Sequence, residues 1–600
     1  MIYVSSHNII SSLGFTTEEN LYKIRKGISG IKIVDNKELS PEPAPVSIIK
    51  SDDLENEFVK ISPQGNYTRF EKLIILSVEK ALKQTKITIS DPKTLIVLST
   101  TKGSIDLLEE GNKDLFESDR VLLTKSADIL QNYFKTDNKP VVISNACISG
   151  GLALLYSKRI LNNSKYENIV VVGGDIISEF TLSGFQSFKA VGSIACRPFD
   201  KDRDGITPGE GAGTIILTKI PEYASNERII ISGGACTNDA NHISGPSRTG
   251  DELSFAINKA MEEAHKEANS IDYISAHGTA TPYNDEMESK AISIAGLENV
   301  PLTSIKGYLG HTFGAAGIIE SIIGICAISN NEIYKTAGFK EIGISNPVNV
   351  TDSYSKKEIN SILKTASGFG GCNLALIFEK SQNEDNNIFL NITDSKQYIN
   401  KSITIRGNRV LINRKENYIQ EDFTTFGKFS KSIYKNYNIK YPKYFKMDNL
   451  SKLGFLACDI LLKDINLTEK YKNDEIGIIL SNKGASIDTD IKYQETIKDR
   501  NNYFPSPSVF VYTLANVMVG EMCIRNKIKG ENTVFISQKY NNDLLFNYVK
   551  LLFNSNKIKA CVTGHIEFTA KNYEVVFSLV ESEEGNLNFN KKNLQLTYNN

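Results

Sequence analysis

Six hundred residues exceed what one hydrophobic core usually supports, so two or more domains are expected. With 40% apolar and 23% charged residues and a net charge of −1, the composition is globular and lacks any global pull toward nucleic acid or anionic lipid. Eight cysteines at wide spacings, without CxxC or HExxH patterns, argue against a disulfide framework or a metal site and for a reducing, cytoplasmic setting. The first residues form no signal pattern, and no unbroken apolar run reaches the roughly 18 residues of a span, so neither secretion nor membrane insertion is expected.

In chain order, Arg69–Gln84 spaces its apolar residues as a helix, and Leu95–Ser99 and Val141–Ser144 read as buried strands. Gly151–Leu161 is again helical in spacing, and Ile169–Gly173 and Thr214–Thr218 are strands. This alternation predicts a layered α/β fold. Beyond Lys380 the composition changes: only nine of the 41 glycines follow it, and Asn, Lys and Tyr become frequent. The polar stretch from Ser381 predicts a linker at 381–390 between domains at 1–380 and 391–600. The first domain is acidic on balance and the second basic, which suits either mutual attraction or a landing patch for an acidic partner.

The second domain repeats part of the first. Lys72–Leu82 aligns without gaps on Lys452–Leu462, and Leu98–Asp106 on Leu480–Asp488, in the same order and at nearly the same separation. Continued, this register makes Pro507–Val511 the counterpart of the strand Pro140–Ser144 and puts Leu514 in the position of Cys147. Either Thr533–Ile536 or Ala560–Thr563 then matches Ile169–Val172. The copy therefore carries no thiol at the nucleophile position and no counterpart of the later histidines.

Cys147 follows a strand and precedes a helix starting near Ser149, where the partial positive charge of a helix N-terminus favours thiolate. Gly150 and Gly151 leave room for a bulky thioester. His277 and His311 are two of only six histidines, and both lie in short glycine-containing loops. A cysteine and two histidines far apart in sequence fit a site assembled by folding. Lys306 shortly precedes His311, and Asp285 and Glu288, three apart, share a helical face.

Taken in order, Asn145–Gly150, His277–Thr281, Lys306 with His311–Gly317, and Gly368–Gly371 resemble the β-ketoacyl-[acyl-carrier-protein] synthases over roughly residues 1–380. The resemblance implies a thiolase-like five-layer αβαβα fold, with an additional C-terminal α/β half-domain. It implies that Cys147 receives the acyl chain, and that His277 and His311 hold the malonyl thioester and stabilise its enolate. Lys306 would sit beside the histidines, with Asp285 and Glu288 as its supporting network. The amides of Cys147 and Phe369 would form the oxyanion hole, the Phe369 ring a gate, and Thr279 and Thr281 the hydrogen bonds to phosphopantetheine. Arg197–Asp200, Arg203–Gly205, Gly209–Gly213 and Asp239–His242 match the family too and read as architectural.

No bound cofactor is implied, because substrates arrive on the phosphopantetheine of an acyl carrier protein. The expected reaction is decarboxylative condensation of acyl-Cys147 with malonyl-carrier protein in type II fatty acid or polyketide and polyene biosynthesis. A malonyl-carrier-protein decarboxylase and a non-catalytic carrier-protein-binding partner are the alternatives. The second domain resembles a truncated chain-length factor. It is expected to serve as an intramolecular dimer partner through the strand ahead of the nucleophile, with a homo- or hetero-oligomer as the other arrangement.

Overall fold

The computed structural model describes residues 1–381, 395–420, 425–570, 572–583 and 585–599. Apart from Ser381, the linker expected at 381–390 lies outside them.

Five strands build the first sheet: β1 (Tyr3–Ser11), β2 (Thr94–Ser99), β3 (Val141–Ile143), β4 (Asn168–Asp175) and β5 (Gly211–Thr218). Their order is β3-β2-β4-β5-β1, with β2 parallel to β3 and β4 and the last two strands antiparallel. A second sheet repeats this pattern with β6 (Ile229–Asn238), β7 (Tyr273–Ser275), β8 (Leu302–Thr303), β9 (Ser361–Gly368) and β10 (Cys372–Lys380). Here the order is β8-β7-β9-β10-β6.

The helices that matter for the site are α1 (Arg69–Leu82), α2 (Leu123–Phe134), α3 (Ser149–Asn163), α4 (Pro282–Ile294) and α5 (Ala316–Asn330). Helix α1, closed by a capping box between Thr68 and Glu71, covers the outer face of the first sheet. Helices α3 and α5 pack on each other between the sheets, giving the expected five layers. Their crossing needs glycine: a Cβ on Gly317 would meet the Gly151 nitrogen at 2.3 Å. Phe313–Asn330 is long and apolar enough to cross a membrane, but 89% of it is buried inside the molecule as this middle layer.

The third sheet copies the first. It contains β11 (Tyr398–Arg406), β12 (Ile476–Asn482), β13 (Asn532–Ile536), β14 (Ala560–Thr569) and β15 (Asn572–Glu581), in the order β13-β12-β14-β15-β11. Helix α6 (Asn449–Leu461) takes the place of α1, α7 (Val517–Asn526) precedes β13 as α2 precedes β3, and α8 (Asn542–Asn554) takes the place of α3. One hydrogen-bonding detail survives in both copies. Asp175 accepts from the amides of Thr101 and Lys102, and Glu567, at the matching place in β14, accepts from those of Lys483 and Gly484.

The expected counterpart of the nucleophile strand is corrected. Pro507–Phe510 is a helical turn, with Pro507 at its first position, where a fixed φ and a missing N–H suit a helix start. The true counterpart is β13, rich in β-branched and aromatic residues, and it pairs antiparallel with β3 through Phe535↔Ile143 and Ile536↔Val142. Carrying the β2–β3 register onto β12–β13 puts Lys539, not Leu514, where Cys147 stands. Asn145 extends the junction, accepting from the Val534 amide at 2.8 Å and donating to the Asn532 carbonyl at 3.1 Å. Beneath it, Arg159 of α3 pairs with Glu531 at 2.8 Å, both buried, and Tyr156 packs edge-on against Phe535.

Candidate active site

Cys147 lies between β3 and α3, behind Ala146, whose φ of 47° puts an alanine in the left-handed region. Such strain persists only where surrounding structure enforces it; here the Ser149 hydroxyl binds both the Ala146 carbonyl at 2.6 Å and the Asn145 amide at 2.7 Å. A cavity of about 370 Å³ opens on Cys147 and is also lined by His277, His311, Thr279, Thr281 and Phe369. Six residues from four separated stretches of sequence therefore meet in one cleft.

Behind the cleft lies a buried ion network. The Lys306 ammonium donates to His277 Nδ1 at 3.2 Å, to the His277 carbonyl at 2.5 Å and to Glu320. Glu320 also holds Lys364 at 2.6 Å. Since an ammonium only donates, His277 Nδ1 accepts, and its proton sits on Nε2. Burial first, and then the Lys306 charge, lower both histidines well below the usual imidazole range, so both rings are neutral. The two rings lie edge to face, 5.3 Å apart. Among the described residues, neither nitrogen of the buried His311 has a hydrogen-bond partner.

The supporting network differs from expectation in one respect. Lys306 pairs with Glu320 rather than Glu288. Glu288 accepts from the amides of His277 and Gly278 at 2.8 and 2.7 Å and from the Thr365 hydroxyl at 2.6 Å. Asp285 accepts from the amides of Thr279, Ala280 and Phe199. Both carboxylates project from α4 and hold the histidine loop, whose Ala280 is left-handed at φ 64°. Thr281 caps α4, and its hydroxyl lies 2.9 Å from that of Thr279. Glu320 and Lys364 were not singled out from sequence, although a glutamate inside the apolar helix α5 signals a buried charge that needs a partner.

Phe369 sits in the β9–β10 turn. A Cβ on Gly368 would come within 3.0 Å of the Cys147 nitrogen, so the two backbones are in close approach. The Phe369 ring lies against Phe185 and Phe188. Its carbonyl accepts from Asn516 of the second region at 2.7 Å, a contact absent from the sequence reading. A second, smaller cavity of about 30 Å³ continues from Cys147, Phe185 and Phe369 to Phe510, Thr513 and Leu514 of the second region.

The expected low thiol pKa is also revised. Burial pushes the Cys147 thiol up to about 12, while the charge of Lys306 pulls it down. The helix start alone does not make a thiolate of Cys147.

Residues 12–222 match the N-terminal domain of beta-ketoacyl synthases and residues 229–340 their C-terminal domain, together more than half of the chain. The chain is 26% identical over 405 residues to a putative mitochondrial 3-oxoacyl-[acyl-carrier-protein] synthase of Schizosaccharomyces pombe, covering 61% of this chain and 95% of the relative. It is 25% identical over 420 residues to 3-oxoacyl-[acyl-carrier-protein] synthase 2 of Synechocystis, covering 64% and 98%. Among solved structures, the PfaC keto synthase–chain length factor aligns with a TM-score of 0.76 at 13% identity, over 97% of this chain and 78% of that one. The ketosynthase ApeO, solved with its chain length factor ApeC from Xenorhabdus doucetiae, aligns with a TM-score of 0.57 at 24% identity, over 63% and 98%.

Proposed function

This chain belongs to the β-ketoacyl synthase family of condensing enzymes, and we propose that it extends an acyl chain on Cys147 with malonyl-carrier protein in type II fatty acid or polyketide biosynthesis. The observation that carries this reading is His311. Its buried imidazole, without a hydrogen-bond partner among the described residues, lines the same cleft as Cys147, beside a His277 whose Nε2 carries the proton. Two neutral N–H donors suit an oxygen that gains negative charge.

In this reading Cys147 Sγ attacks the acyl thioester, and the phosphopantetheine thiol leaves with the proton. Malonyl-carrier protein then binds with its thioester oxygen at His277 and His311. Loss of CO₂ leaves an enolate, whose carbon attacks acyl-Cys147. The oxyanion so formed is held by the amides of Cys147 and Phe369. It collapses to the 3-oxoacyl carrier product and releases the Cys147 sulfur. Thr279 and Thr281 line the approach of the phosphopantetheine arm.

The second region acts as a built-in partner of the chain-length-factor kind. Support comes from β13 pairing with β3 and from Phe510, Thr513 and Leu514 walling the cavity beside Cys147. Its lysine-rich surface suits an acidic carrier protein. Lys428, Lys431, Lys435, Lys440 and Lys446 are exposed, and no carboxylate occurs between 428 and 446. Lys443 approaches His242, whose Nδ1 accepts from the Ser244 and Gly245 amides at the cleft mouth.

The test is intact-mass analysis after incubation with acyl-carrier proteins and malonyl-carrier protein. Acyl mass on the native chain but not on Cys147→Ala, followed by a 3-oxo product, is the expected result. Loss of CO₂ without a 3-oxo product would instead indicate a decarboxylase. No transfer from any acyl donor would leave only carrier-protein binding.

A further inference from the structure

Lys102 lies in the loop after β2 with its side chain only 6% exposed. All three hydrogen-bond acceptors of its ammonium belong to the second region: Asp490 at 2.7 Å, the Ser486 hydroxyl at 3.3 Å and the Thr513 carbonyl. The ammonium also sits 5.3 Å from the Phe180 ring. Asp490 is equally enclosed, at 7% exposure. A buried ion pair of this kind costs desolvation on both sides, and removing one partner strands the other. Packing alone does not require it.

Its location suggests what it does. Lys102 and Thr101 line the small cavity that starts at Cys147, and they also line a separate one of about 10 Å³ bounded by Ile105, Ala485 and Asp490. They form the partition between the two. The register of β12 on β2 puts Gly484 at the counterpart of Lys102, so no side chain stands at that position, and the far cavity, about one water in size, lies directly behind the pair. An acyl chain leaving Cys147 would run between Phe185, Phe313, Phe510 and Leu514 and then meet a charge pair. Methylenes gain nothing against an ammonium already bonded to a carboxylate, and displacing the pair would strand both charges. The near cavity has room for roughly two or three water-sized groups.

We infer that the Lys102–Asp490 pair is the end stop of the acyl pocket, restricting loading of Cys147 to short acyl chains. The inference rests on the condensing reading above, and it assigns length control to a contact that exists only because the two regions are joined.

The test is self-acylation of the full chain by a series of straight-chain acyl pantetheine thioesters from C2 to C12, read by intact mass as the ratio of each chain to acetyl. The native protein is expected to fall at least tenfold between C4 and C8. The double variant Lys102→Met/Asp490→Leu, which removes both charges together, should move that fall by two or more carbons. The swapped pair Lys102→Asp/Asp490→Lys should move it back. If the double variant does not fold, Asp490→Asn keeps the shape, weakens the pair and should shift the profile in the same direction. A folded double variant, or Asp490→Asn, with the native length profile overturns the end stop while leaving the condensing reading intact. Failure of the native chain to accept any acyl group overturns both.

Discussion

The side-chain amide of Asn516 donates to the carbonyl of Phe369 at 2.7 Å, so a residue of the second region holds the turn whose Phe369 amide is proposed above for the oxyanion hole. Helix α7 follows directly, and a Cβ on its Gly520 would meet the Gly370 carbonyl at 2.7 Å. The second region therefore touches the Phe369 turn through backbone as well as side chain. In Asn516→Ala the turn should loosen. Acyl transfer to Cys147 is expected to slow about tenfold, less than the roughly hundredfold loss that follows removal of an oxyanion donor itself. Single-turnover acylation rates with a native melting temperature would check this; an unchanged rate would confine Asn516 to packing.

Lys306→Met would remove the donor that fixes the His277 tautomer and would leave Glu320 with Lys364 alone. Decarboxylation of malonyl-carrier protein should fall by about a hundredfold or more, as expected when charge stabilisation at an oxyanion is lost. Acyl loading of Cys147 should persist at a reduced rate. Measuring CO₂ release and acyl-enzyme mass on the same sample separates the two steps, and equal loss of both would count against the assignment.

The buried thiol gives a pH signature. With the Cys147 pKa pushed up to about 12, the thiolate fraction rises about tenfold per pH unit throughout the accessible range. Alkylation of Cys147 by iodoacetamide should therefore increase log-linearly from about pH 6 to pH 9 without a plateau. A plateau near neutrality would mean that the helix start and Lys306 outweigh burial.

The region interface contains a second testable charge pair. Glu531→Gln leaves the Arg159 guanidinium buried beside Tyr548 with no anion, and should destabilise the fold by about 3 kcal/mol. Denaturant melts should show this as a lower midpoint. If the two regions unfold independently, only the transition of the second region should move.

Asp239 offers a linkage experiment. Burial raises its carboxyl to about 7, so the protonated form is favoured by folding. Its contribution is fully present below about pH 4 and is lost as pH rises through 7. The melting temperature should fall over this window, and Asp239→Asn should flatten that fall. An identical slope in the variant would mean that other carboxyls dominate.

Much of the site was legible in the sequence because its markers are local. Cys147 before a glycine-started helix, histidines in glycine loops and the Phe369 turn each reflect constraints within a few residues. Asp285 and Glu288 stand out in sequence by their spacing and hold the histidine loop, but the carboxylate that meets Lys306 is Glu320. Glu320 reaches Lys306 from a different helix, and nothing in either local pattern encodes that meeting. The β-strand opposite β3 was misread for a similar reason. Pro507–Phe510 satisfied an alignment register, while β13 is identified only by its parallel pairing with β12.

The sequence by itself determined the family and the layered α/β plan, because motif flanks, hydrophobic periodicity and repeated motifs are short-range features. It also determined that the second region has no cysteine at the place corresponding to Cys147. Only the tertiary structure decided which strand joins the two regions, which carboxylate balances Lys306, and that Lys102 is neutralised by Asp490, 388 residues away. Such partners are chosen by desolvation: a charge folded into the interior must meet whichever opposite charge the packing delivers, and sequence distance plays no part in that choice.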